Sequence, residues 1–280
     1  MKTILVPTDF SETSIKAVKY AFGLAKQVQA KKIVLFNVFS APMNTTIDPL
    51  VMGIGIMDYE LLEGASLEGL QYVKEQLMQN CPDGVEIEFL TKYGLLSENI
   101  NLACDEVEAD VIVMGITGGS IISEKLFGSN TTMVARCAKV PVIIVPPSSS
   151  YHGIKKLVLV SDFVAIEEFV PLIPIKKVLD DTKAQLMVLH VASSKHHSLY
   201  EGAYECFSFK EMFEEYNPAF HFVVNSDFTG AINTFAAENQ ADIVMVIPKK
   251  HSFISSIFTT SHTKDLAFHS NIPLMAVHEV

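Results

Sequence analysis

The feature that most limits what this chain can fold into is that its sequence repeats itself once. An apolar run closing on Asp-Phe occurs as KTILVPTDFS from Lys2 to Ser11 and again as KLVLVSDF from Lys156 to Phe163, which pairs Asp9 with Asp162. Further along, ADVIVMGI over 109–116 matches ADIVMVIP over 241–248, and VPVIIVPP over 140–147 matches IPLMAVHE over 272–279. The last two matches share an offset of 132 residues and the first has one of 153, so the second copy is shorter by 21 residues, lost in its middle. Self-similarity on this scale means two related domains. We place them at 1–147 and 154–280, joined by the linker-like Pro-Pro-Ser-Ser-Ser-Tyr-His-Gly from Pro146 to Gly153.

Within the first copy, strand-like runs at Ile4–Pro7, Ile33–Val38, Val85–Leu90, Val111–Gly115 and Val142–Val145 alternate with helical periodicity. Ile15, Val18, Phe22 and Ala25 fall on one helical face behind Ser11, a candidate N-cap. Runs such as VIVM and VIIV are apolar at every position, as expected of parallel strands covered by helices on both faces. The fold class is therefore α/β, doubly wound, twice in tandem. Ser40 to Gly55 has neither clear periodicity nor a charge run and reads as a surface loop, packed on its own domain or covering a ligand or partner.

Composition excludes several classes. The chain is 49% hydrophobic, yet no apolar run approaches the roughly 20 residues of a membrane-spanning helix, and Asp9 stops the first apolar run short of a secretory signal. A soluble cytoplasmic protein is expected. Cys81, Cys104, Cys137 and Cys206 lie far apart and form no zinc or redox spacing. The nine histidines, including the adjacent His196 and His197 and the widely spaced His262 and His269, make no convincing ligand pair, so no metal site is assigned. A formal net charge of -11 opposes general nucleic-acid binding.

The most informative segment follows the fourth strand. Gly115 and Gly118 open it, Gly128-Ser129 closes it, and a helical stretch from Thr131 to Ala138 comes next. Glycine lets backbone approach a ligand closely, and the N–H groups and dipole of a helix N-terminus favour an anion. A triphosphate would fit between the two ends. In an open α/β sheet, ligands bind outside the carboxyl ends of the strands where strand order reverses. If the first and fourth strands are neighbours there, Asp9 and Gly115 share one rim, with Asp9 accepting from ribose hydroxyls and backbone at Val38 reading the base. The alternative for each is structural: plain turns for the glycines, and helix capping for Ser129, Thr131 and Asp9.

Gly115, two residues, Gly118, nine residues, Gly128-Ser129 resembles the ATP-binding signature of the universal stress protein family, and Val-Pro-Thr-Asp9 resembles its opening strand. The likeness covers essentially the whole chain as two copies. It implies two five-stranded parallel sheets of order 3-2-1-4-5, related by a pseudo-two-fold axis and pairing through their fifth strands. It further implies ATP, ADP or AMP, with or without Mg²⁺, as cofactor. Pro7, Thr8 and Asp9 would contact the nucleoside and Val38 the adenine. Met114, Gly115, Gly118, Gly128, Ser129, Asn130 and Thr131 would contact the ribose and phosphates.

The second copy departs from this pattern. The 132-residue offset puts Ile247 at Gly115, Lys250 at Gly118 and Thr260 at Gly128, and Pro248 removes a backbone donor. One nucleotide per chain is expected, held by the first copy. No Walker motif occurs, no GxGxxG follows the first strand, and neither SGGxDS nor HxGH is present. The loop's ionisable side chains are Glu124 and Lys125, so no catalytic residue is assigned. The expected function is a nucleotide-dependent switch in a stress response that acts on a protein partner. The rivals are a nucleotide-independent scaffold and a slow Mg²⁺-dependent ATPase. Pairing of two whole chains stays open beside the internal pair.

Overall fold

The computed structural model describes residues 1–40, 54–116, 129–163, 170–192, 203–248 and 272–278. In the first half these form β1 (Thr3–Pro7), α1 (Glu12–Val28), β2 (Lys32–Phe39), α2 (Ile54–Leu77), β3 (Glu86–Tyr93), α3 (Leu96–Val107), β4 (Val111–Gly115), α4 (Ser129–Cys137) and β5 (Val142–Val145). The second half contributes β6 (Lys156–Val160), α5 (Leu172–Thr182), β7 (Gln185–Ala192), α6 (Ala203–Met212), β8 (Ala219–Val224), α7 (Phe228–Glu238), β9 (Ile243–Val246) and β10 (Leu274–Ala276).

All ten strands join one sheet in the order β3-β2-β1-β4-β5-β10-β9-β6-β7-β8. The first half thus has the order 3-2-1-4-5, and the second repeats it in reverse across the seam. Pairing is parallel throughout except at that seam, where Leu274, Met275 and Ala276 of β10 run antiparallel to Ile144, Ile143 and Val142 of β5. The fully apolar β4 and β5 are buried along their whole length. On one face, side chains of α1, α2, α5 and α6 share a single apolar cluster, and on the other those of α3, α4 and α7 share a second. Each cluster crosses the seam, so the halves share both cores.

Local chemistry sets the element ends. Ser11 caps α1 and accepts from the Ser14 N–H at 3.3 Å. Val18, Phe22 and Ala25 are buried as their spacing requires, with Ile15 half-buried beside them. The Asp-Phe repeat is a turn. Phe10 and Phe163 both take left-handed backbone, with φ of 66° and 54°, and each N–H donates to a hydroxyl two residues earlier, Thr8 or Ser161, at 3.1 Å. The repeated Ala-Asp has an equally definite task. Asp110 Oδ2 accepts from the N–H groups of Lys2 and Thr3, and Asp242 Oδ2 accepts from those of Lys155 and Lys156, so each carboxylate ties the start of one strand to the start of its neighbour.

The shorter second copy loses its length in the crossover after its second strand, where α2 has 24 residues and α6 has 10. Three boundaries differ from the sequence reading by more than one residue. Ile54 and Gly55, assigned to a loop, open α2, while residues 41–53 of that loop lie outside the described residues. β3 runs on to Tyr93 because all eight of its residues pair with β2. α4 begins at Ser129 rather than Thr131.

The halves are also clamped beneath the sheet. The Gln27 side chain of α1 donates to the carbonyls of Ile154 and Thr182 at 2.8 and 2.9 Å, and accepts from the Ile154 N–H at 2.8 Å and from the Tyr151 hydroxyl. Tyr151 of the linker packs against α1, where a Cβ on Gly23 would meet its ring carbon Cγ at 2.6 Å. Lys177 of α5 pairs with Asp110. Burial alone would raise the Asp110 pKa, but Lys177 and the two backbone N–H donors outweigh it and hold the carboxyl below its usual value. Among the described residues no helix is long and apolar enough to cross a membrane. The Cys104 thiol is pushed up to about 12, first by burial and then by Asp105, which leaves it a structural thiol.

Candidate nucleotide site

A cleft of about 100 Å³ opens at the carboxyl ends of β1, β2 and β4. Its lining includes Pro7, Thr8, Asp9, Val38, Met114, Gly115, Asn130 and Thr131, eight of the residues singled out from the sequence. β1 pairs with β2 on one side and with β4 on the other, so the cleft sits where strand order reverses. Ser129 supplies the first residue of α4 at its edge, with its side chain outside the described set. Gly118 and Gly128 lie outside the described residues.

Each lining group is held by a definite contact. Thr8 is buried, and its hydroxyl shares a hydrogen bond of 2.9 Å with Ser14 of α1. The Thr8 carbonyl accepts from the Asn37 amide at 2.7 Å, and Asn37 in turn accepts from the Ser66 hydroxyl at 2.6 Å. Asp9 is exposed, and its Oδ1 accepts from the N–H and hydroxyl of Ser11. Its Oδ2 has no partner among the described residues. The helix cap is therefore Ser11, and Asp9 braces the residue that caps. Thr131 is fully buried and donates to the Gly115 carbonyl at 3.2 Å, which ties the first turn of α4 to the end of β4. That hydroxyl is committed within the protein.

Gly115 has a steric reason of its own. A Cβ there would come within 2.6 Å of the Thr13 carbonyl carbon, because the first turn of α1 presses on the end of β4. The glycine is needed for chain packing whatever the cleft holds. Phe36, Asn37, Ser14 and Leu96 also line the cleft and were missed in the sequence. Asn37 carried a readable signal as the lone polar residue inside the apolar run IVLFNVF.

The second half keeps the turn and rebuilds the cleft. His190 stands where Asn37 does and hydrogen-bonds the Ser161 carbonyl at 3.0 Å through Nδ1. Phe163, the counterpart of Phe10, is buried and stacks on His190 at 5.4 Å between ring centroids. Ile247, at the place of Gly115, is buried in the same apolar cluster as Phe163 and Ile175. Lys250 and Thr260 lie outside the described residues.

The family model for universal stress proteins matches residues 1–146, just over half of the chain. The chain belongs to the universal stress protein family. A universal stress protein of Methanocaldococcus jannaschii is 31% identical over 144 residues, which is 51% of this chain and 81% of the relative. One from Synechocystis is 32% identical over 145 residues, 52% of this chain and 85% of that protein. Among solved structures, a universal stress protein from Archaeoglobus fulgidus aligns over 99% of this chain and 96% of its own, with a TM-score of 0.69 and 20% identity. That likeness extends the universal stress protein fold over the second half as well.

Proposed function

We propose that this universal stress protein binds an adenine nucleotide in the cleft of its first half and acts as a nucleotide-dependent switch on a protein partner. The observation that carries the proposal is convergence. Residues distant in sequence, from the ends of three strands and the start of α4, meet in one cleft at the strand-order reversal. The free Oδ2 of exposed Asp9 suits a ribose hydroxyl, and the α4 N-terminus suits an anion. In this proposal the ribose lies in the cleft, and the phosphates are held by Gly118 and Gly128, which lie outside the described residues. Mg²⁺ would arrive on the triphosphate.

In the same reading, 1–147 and 154–280 are two domains of one family, and the second, with Ile247 and a buried Phe163, holds no nucleotide in this mode. Calorimetric titration of ATP and Mg²⁺ into nucleotide-stripped protein tests both points. We expect one site per chain, weakened about tenfold or more by Asp9→Ala, as for a lost charge-assisted hydrogen bond. Two sites would refute the asymmetry. No binding would refute the nucleotide reading and leave a scaffold.

A further inference from the structure

A second opening lies apart from the cleft. It is an open groove of about 1290 Å³ along α1, and it shares no lining residue with the cleft. Its floor is α1. One wall is the turn before β3, from Gln79 to Val85, and the other is the linker from Pro147 to Tyr151. Lys16, Lys19, Lys26 and Lys31 line it, and all four are exposed. The single carboxylate in its lining is Asp83.

Outside the groove Lys32, Lys92, Lys139, Lys176 and Lys177 are paired with carboxylates, while Lys156 bonds a backbone carbonyl. None of the four groove lysines has a carboxylate partner among the described residues, and Lys16 donates instead to the Pro147 carbonyl. A protein with formal net charge -11 thus sets four lysines against a single carboxylate along this groove.

We propose that this groove docks an extended acidic segment of a partner protein. Lys16, Lys19 and Lys26 lie at spacings of three and seven residues, which on a helix puts them along one side. They span roughly 15 Å at ~1.5 Å per residue, the length of about five extended residues at ~3.3 Å each. Side-chain amides of Gln29, Gln79 and Asn80 supply donors and acceptors suited to a peptide backbone. The overall charge repels a long polyanion at range, whereas a short segment with few carboxylates meets mainly the groove.

The test is fluorescence anisotropy of the full chain, at low salt, with a labelled ten-residue peptide in which glutamates alternate with serine and leucine. We expect saturable binding, no binding of the same peptide carrying lysine for glutamate, and a loss of about tenfold or more in the Lys19→Glu/Lys26→Glu variant. The variant Lys155→Glu/Lys210→Glu changes net charge equally outside the groove, and its loss should stay within about twofold. Equal loss in both variants, or no binding by the unaltered chain, would overturn the proposal. So would groove-dependent binding of inorganic polyphosphate with the glutamate peptide left free. Neither variant touches the nucleotide cleft, so ATP titration of the same samples separates failure here from failure there.

Discussion

Replacing Gln27 by alanine is the sharpest probe of how the two halves are held together. The side chain makes four hydrogen bonds, two donated and two accepted, and all cross from α1 to Tyr151 of the linker, to Ile154 just after it or to Thr182 of α5. Its partner Ile154 is 1% exposed, so on truncation both backbone groups of that residue lose their partner where water reaches poorly. The carbonyl of Thr182, a residue 6% exposed, loses its partner likewise, and the hydroxyl of half-buried Tyr151 does so with more access to solvent. Three poorly solvated groups at about 1 kcal/mol each, plus a smaller term for the fourth, give a loss of about 3–4 kcal/mol. With a urea slope of ~3 kcal/mol/M, the midpoint should fall by about 1 M. Gln27→Glu should be no better, since it keeps the acceptor but sets a carboxylate oxygen against two carbonyls. Urea unfolding followed by far-ultraviolet circular dichroism reads both variants. A Gln27→Ala midpoint equal to that of the unaltered chain would mean that the clamp contributes nothing and that the shared cores alone hold the halves.

Two further expectations concern single positions. Gly115→Ala should lower stability by about 2–3 kcal/mol with or without nucleotide, because its methyl meets the Thr13 carbonyl carbon at 2.6 Å; thermal unfolding of nucleotide-free protein measures it. Asp110→Asn should cost about 1 kcal/mol or less at neutral pH and low salt. Since the Asp110 pKa is lowered from 3.8, its contribution is fully present above that value and is lost as pH falls through the lowered one. The gap between the unaltered chain and the Asn variant should therefore close in acid, as read by urea midpoints across pH 2 to 7.

Parts of the architecture were legible because they depend on patterns that tertiary contacts do not override. β4 and β5 were plain because every side chain is apolar, which a parallel strand covered on both faces requires. α1 was plain because its apolar face is clean and its cap precedes it. α2 was not legible, since Leu61, Leu67 and Tyr72 are exposed and blur the contrast between its faces. The repeated aspartates were visible as a match, but nothing local says that Asp110 and Asp242 cap neighbouring strands, because their donors lie about a hundred residues away in sequence. Thr131 shows the reverse. The family resemblance implied a ribose or phosphate contact for it, and the fold uses its hydroxyl to hold α4 on β4.

The second half acts as an internal control on what the glycines mean. Both halves keep the hydroxyl-closed turn, the left-handed phenylalanine, the side chain bonded to the turn carbonyl and the strand-capping aspartate, so those features belong to the fold and not to a ligand. At Gly115 the first carbonyls of α1 press on the end of β4, so the glycine answers a packing demand of the fold, whereas Ile247 fills the corresponding position with a buried side chain. Gly115 is therefore not by itself a sign of phosphate binding. A Gly115→Ala variant that fails to bind nucleotide would report a displaced helix. Asp9→Asn is the cleaner probe, because it preserves the Oδ1 acceptor that braces Ser11 and replaces the free Oδ2 acceptor by an uncharged NH2 donor. If it weakens ATP binding while the melting temperature of the nucleotide-free protein stays put, the carboxylate belongs to the ligand. Full affinity in that variant would return Asp9 to the turn.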